Sequence, residues 1–160
     1  MKKTFLTIAM CVSSAAALSQ AANFFSATTS ISDFGALTVT FDERGLGNGD
    51  VDYKLTGTSS AVYACINKGG NHPQATNKVG PTSVEATKSD VKPKNGRVQD
   101  SITIPAPGPG NLVCPSGQTS TLVCVSYSDL TLYDITNGSS IQPTGPMSRT
   151  FVSVKGVSCT

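Results

Sequence analysis

Short stretches of alternating apolar and polar residues recur along this chain, and no stretch keeps a helical period. Leu37, Val39 and Phe41 alternate with Thr38 and Thr40, and Val51, Tyr53 and Leu55 alternate with Asp52 and Lys54. Each run has the two-residue period of a half-buried strand. Gly45-Leu46-Gly47-Asn48-Gly49 between them reads as a turn or short loop. A further strand is predicted at 61–66, ending at Gly69-Gly70, with Pro73 barring its continuation. Residues 83–89 and 97–105 read as a hairpin about Asn95-Gly96, the strongest short turn signal, with outward residues Glu85, Lys88 and Asp100 polar enough for a solvated edge. Pro105 to Gly110 breaks the pattern, and a long run from Thr121 to Ile135 follows, with Ser128-Asp129 marking a bulge or bend. Residues 150–155 supply the last strand, and Phe24-Phe25 belong to a first strand or to an exposed apolar end. The expected fold is all-β: a single-domain β-sandwich of about eight or nine mostly antiparallel strands, with a barrel as the alternative.

The first residues follow a different rule. Lys2 and Lys3 precede an apolar run from Phe5 to Leu18, and Ser19-Gln20-Ala21 offers small residues where a signal peptidase reads. Residues 1–21 are therefore expected to be a secretory signal, too short and serine-rich for an anchor, and residues 22–160 one secreted domain. This alters the charge. Of the 12 Lys and Arg, Lys2 and Lys3 leave with the signal, and the remainder balance the 10 Asp and Glu. A neutral domain without a basic stripe argues against nucleic acid, and no second long apolar segment argues for membrane insertion.

The cysteines are read in the same light. Cys11 leaves with the signal, since Met10 is a poor neighbour for lipid attachment. Cys65, Cys114, Cys124 and Cys159 remain, an even set that implies two disulfides in an oxidising compartment. Three connectivities are open, and no Cys-x-x-Cys spacing suggests zinc or a redox pair.

Several residue groups are candidates for function. The segment from Tyr63 to Lys78 carries Asn67, Asn71, Gln74 and Asn77, amides that suit a polar ligand or satisfy their own loop backbone. His72, the only histidine, suits a general base, but no nucleophile motif accompanies it, and a loop histidine before Pro73 is the plainer reading. Asp42-Glu43 and Asp50-Val51-Asp52 flank the glycine-rich turn, and Asp42, Asp50 and Asp52 are weak calcium candidates set against ordinary solvated acids. Phe41, Tyr53, Tyr63, Tyr127 and Phe151 lie in strand patterns and suit packing better than a sugar platform. Asn137-Gly138-Ser139 is an N-glycosylation acceptor if the host is eukaryotic.

The Tyr63–Lys78 segment, with Gly45-Leu46-Gly47, Cys114-Pro115-x-Gly117-Gln118 and Val125-Ser126-Tyr127, resembles a group of small secreted β-rich proteins of actinobacteria and filamentous fungi with no established activity. The resemblance spans most of the mature chain. It implies pairing of Cys65 with Cys114, which leaves Cys124 for Cys159. The function expected from sequence is that of a secreted, disulfide-stabilised, non-catalytic binding protein of the microbial-effector or cell-surface kind. It needs no cofactor, and its partner is an extracellular protein or glycan. The alternatives are an extracellular glycan-binding module and a small hydrolase using Asp50, Asp52 or Glu85, whose carboxylates would have to face each other across about 5–10 Å.

Overall fold

A computed structural model describes residues 21–67, Gly69 and residues 76–154. The described chain is all-β, with eight strands in two antiparallel sheets. The first sheet has the order β1 (Asn23–Ile31), β2 (Leu37–Arg44), β5 (Arg97–Ile104). The second has the order β4 (Thr76–Val91), β3 (Val51–Asn67), β6 (Gln118–Asp134), β7 (Ser139–Ile141), and β8 (Ser148–Thr150) pairs with β6 further along. No described helix is long and apolar enough to cross a membrane.

The predicted alternation places the core. Leu37, Val39 and Phe41 of β2, with Val98, Ile102 and Ile104 of β5, are buried in one cluster with Val51, Tyr53 and Leu55 of β3 and Val125, Tyr127 and Leu132 of β6. Phe24, Phe41 and Tyr53 form its aromatic centre. The Phe41 and Tyr53 ring centroids lie 4.7 Å apart, and Phe24 meets both edge-on at 6.0 and 6.3 Å. The Tyr127 hydroxyl donates to the Gly35 carbonyl at 2.7 Å, tying β6 to the β1–β2 turn, and burial pushes that phenol up to about 12. Tyr63 and Phe151 are only partly buried, packed against the margin of this core.

Four strand expectations need correction. The runs at 51–55 and 61–66 are one strand, β3, because Thr56, Thr58 and Ser60 at half-buried positions carry the ladder through the polar stretch between them. A bulge between Ser59 and Ala61 resets its facing. Gly80 of β4 lies against that bulge at φ +91°, where an added Cβ would come within 2.5 Å of the Ser59 carbonyl oxygen. The predicted hairpin of 83–89 with 97–105 does not pair as two strands. The Asn95-Gly96 turn forms, with Lys94 and Arg97 exchanging backbone hydrogen bonds of 2.8 and 3.2 Å, but β4 then runs along β3 and β5 along β2. Pro93 has no N–H for a hairpin ladder, and Val98, Ile102 and Ile104 find a buried apolar face beside β2 that the polar β4 does not offer. Among the described residues the last strand is β8, shorter and earlier than 150–155, and Phe151 to Val154 lie outside it. Finally, β4 begins at Thr76, ahead of the predicted Ser83. The bend foreseen at Ser128-Asp129 is present as a register shift between β3 and β6, with Asp129 at φ 55°.

A disulfide joins Cys65, at the end of β3, to Cys114 in the connection between β5 and β6. The Tyr63 hydroxyl donates to the Pro107 carbonyl at 2.7 Å and the Asn77 amide to the Pro109 carbonyl at 3.0 Å, so the breaker segment is strapped down at three points. Cys124 is buried and is not a free thiol. Cys159 lies outside the described residues, as does the signal segment with Cys11.

Two of the sheet edges carry further contacts. Residues 142–147 run beside β1, with Thr29 N–H donating to the Thr144 carbonyl at 2.9 Å and Thr144 N–H to the Ala27 carbonyl at 3.0 Å. On the opposite side Lys88 of β4 reaches Asp100 of β5 at 2.5 Å, linking the two edge strands.

Beside the aromatic centre lies a buried polar group. Glu43 of β2 is fully buried, and its Oε1 accepts the Ser139 hydroxyl at 2.6 Å. Asp134, also buried, accepts the Asn137 backbone N–H at 2.8 Å and side-chain amide at 2.7 Å. Glu43 Oε2 and the Tyr53 hydroxyl influence each other's titration, yet neither has a partner in good hydrogen-bond geometry. Burial pushes the Glu43 carboxyl above its ordinary 4.5, and the Asp134 charge adds to the rise against the pull of the Ser139 hydroxyl. A raised carboxyl contributes stability that is complete below pH 4.5 and is lost as pH rises through the folded value. Glu43→Gln is therefore expected to flatten the decline in stability as pH rises above 4.5. Urea midpoints measured from below pH 4.5 upward check this, and an unchanged slope would count against it.

Candidate functional site

The alternation that buries one side of β1, β2 and β5 leaves the other side to hydroxyls and amides. Register then lines them up. Ser30, Thr38 and Thr103 form one cross-strand row, Thr28, Thr40 and Ser101 the next, and Ser26, Asp42 and Gln99 a third. Rows on one face repeat about every 6.8 Å along the strands, with neighbours about 4.8 Å apart across them. Thr38 and Thr103 share a hydroxyl hydrogen bond of 2.9 Å. Ser26, Thr28, Thr40, Asp42, Gln99 and Ser101 line a shallow depression of about 360 Å³.

Beyond the third row the face becomes charged. Arg97 holds Asp42 through Nε at 2.7 Å and Nη2 at 2.6 Å, and Arg44 adds Nη2 at 3.0 Å. The Arg97 hydrogen bonds, then those of Arg44, hold the Asp42 carboxyl down at about 2. Arg44 also lies 3.8 Å over the ring of Phe25, which a bulge in β1 turns outward and leaves 65% exposed. This aromatic–guanidinium pair stands on the same face as the hydroxyl rows.

Gln99 and Asp100 also border a second, open concavity of about 910 Å³ beneath the β4–β5 crossover, where Lys88, Asp90, Lys92, Lys94 and Arg97 contribute. Its wall is held firmly. Asn95 at φ 52° and Gly96 at φ 71° make the tight turn, and Leu46 N–H donates to the Gly96 carbonyl at 3.0 Å. Asp90 N–H donates to Asp52 Oδ1 at 2.9 Å. Lys88 is engaged by Asp100 and by the Ser101 carbonyl at 3.3 Å. Burial alone would raise Asp100, but the Lys88 hydrogen bond, the Ser101 N–H and the Lys88 charge carry it below its ordinary range. Lys92 and Lys94 are exposed and have no ion pair among the described residues.

No protein-family model, curated protein or solved structure matches this chain.

The residues singled out from sequence are dispersed. Asp42 is engaged by two arginines, Asp52 supports the backbone of Asp90, and Asp50 is exposed. Glu85 pairs with Lys54 at 2.7 Å and lies on β4 opposite Thr56, away from Asp50, which precedes β3. Among the described residues no three His, Cys, Asp or Glu gather as ligands for a metal. Asn67 is exposed at the end of β3, and Asn77 holds the Pro109 carbonyl. Asn71, His72 and Gln74 lie outside the described residues. Asn137 is exposed, but its side-chain amide is engaged by Asp134.

The hydroxyl rows were not singled out from sequence. Thr28, Thr40 and Ser101 stand far apart in the chain, and only the register of three strands makes them neighbours. The available signal was the repeated Thr and Ser at outward strand positions, which by itself is an ordinary feature of exposed strands.

Proposed function

We propose that this chain is a secreted, non-catalytic binding protein, a β-sandwich with a second disulfide between Cys124 and Cys159, and that it recognises an extracellular glycan on the outer face of its first sheet. The observation that carries the reading is the in-register face of hydroxyls and amides running from Ser30 to Gln99, with the exposed Phe25–Arg44 pair at its corner. Hydroxyl and amide side chains both donate and accept, which matches the hydroxyls of a saccharide. The surface is supported by paired backbone on all three strands, so little ordering cost accompanies binding.

A saccharide array probed with the secreted domain tests this. Binding is expected, and it should fall at least tenfold in the double variant Thr40→Lys/Gln99→Ala while the melting temperature stays within a few degrees. Binding unaffected by the double variant would place the contact elsewhere. Absence of binding to every saccharide would refute the reading.

A further inference from the structure

Resting on the reading of the outer face as a glycan site, we infer that its ligand is an acidic polysaccharide, whose sugar hydroxyls lie along the threonine rows and whose carboxylates enter the basin at Lys92 and Lys94. Gln99 and Asp100 border both concavities, which adjoin along β5. A chain lying along the face is therefore led to the crossover.

The charges there are unevenly committed. Lys88 is taken up by Asp100, and Arg97 by Asp42. Lys92 and Lys94 are left facing a basin whose one remaining acid is Asp90, so the local balance is positive although the domain expected after signal cleavage is neutral. A field concentrated in a concave, partly enclosed site attracts anions more effectively than the same lysines scattered over a convex surface. Both lysines stand on a segment fixed by the Lys94–Arg97 hydrogen bonds and by the Leu46–Gly96 contact. Their charges are thus presented from a firm backbone.

The ligand must also suit the rest of the track. Apart from Phe25 at its corner, the track exposes hydroxyl, amide and charged groups, which offer no pocket for the apolar anchors of a peptide. Repeating hydroxyls with intermittent carboxylates are the chemistry of a uronate polymer. In the plainer account, Lys92 and Lys94 only keep the edge strands from pairing with other chains. That account gives the turn no preference among saccharides.

The experiment compares polygalacturonate, neutral dextran and inorganic polyphosphate for binding to the intact secreted domain and to Lys92→Gln/Lys94→Gln, with circular dichroism and thermal melts confirming the fold. Polygalacturonate is expected to bind more tightly than dextran and to weaken as salt is raised. The double variant should lose about tenfold in affinity for polygalacturonate, two exposed charge contacts being worth roughly one decade together. Dextran affinity should not change. Equal affinity for the two saccharides, or an unaltered double variant, would overturn the acidic assignment while leaving the glycan face standing. Polyphosphate binding as tightly as polygalacturonate would show an anion site indifferent to sugar and overturn the assignment too. Failure to bind either saccharide would overturn both this inference and the reading on which it rests.

Discussion

Replacing Cys65 and Cys114 together by alanine is expected to lower stability by about 3–4 kcal/mol and the melting temperature by about 10 °C. The two residues are 49 positions apart in sequence, and closing a loop of that size removes much of the freedom of the unfolded chain. The bond also has local work. Cys65 is fully buried at the end of the longest ladder, and Cys114 belongs to the connection that Tyr63 and Asn77 hold only by single hydrogen bonds to carbonyls. Without the bond, that connection is expected to open before the sheets do. Denaturant titration of the double variant, with limited proteolysis directed at residues 105–117, checks both parts. An unchanged midpoint together with unchanged cleavage would contradict them.

Phe41→Ala is expected to cost about 3–5 kcal/mol, the range for truncating a buried aromatic ring. Phe41 is 2% exposed and lies between Phe24 of its own sheet and Tyr53 of the other. Tyr53→Phe makes an informative companion. The Tyr53 hydroxyl is buried without a well-formed partner, so its removal is expected to be neutral or mildly stabilising. A double-mutant cycle joining Phe41→Ala with Tyr53→Ala should give a coupling of about 0.5–1.5 kcal/mol beyond simple addition. Strict additivity would mean that the two rings do not support each other across the sheets.

Local pattern made part of this fold legible. Leu37, Val39 and Phe41 announced β2 and its buried side, and Asn95-Gly96 announced a tight turn. Ser128-Asp129 marked the irregularity in β6. Pairing was less accessible. The same Asn-Gly turn that suggested a hairpin carries the chain between sheets, because strand partnership depends on which buried face is available and not on the turn alone. Thr56 to Ser60 looked like a break, since threonine and serine suit a half-buried strand as well as a loop. Asp42 read as a metal candidate from its neighbours in sequence, whereas its partner Arg97 comes from a distant strand. Glu43 was read together with Asp42 as an acid flanking a turn. Its burial follows from the alternation it shares with Phe41, and its proximity to Asp134 and Ser139 follows only from the placing of β2 beside the end of β6 and β7. The cysteine pair was reached through resemblance to a group of small secreted proteins; the spacing itself left three pairings open.

The occupied flank of β1 carries a consequence for the protein in concentrated solution. An open strand is a template onto which another copy adds, and fibrous growth begins from such templates. In this chain one flank is occupied by residues 142–147, and the other brings β4 and β5 together through Lys88 and Asp100, with Pro81 on β4 withholding an N–H. A second copy that meets the β1 flank therefore finds residues 142–147 already in place, and one that meets β4 finds a proline.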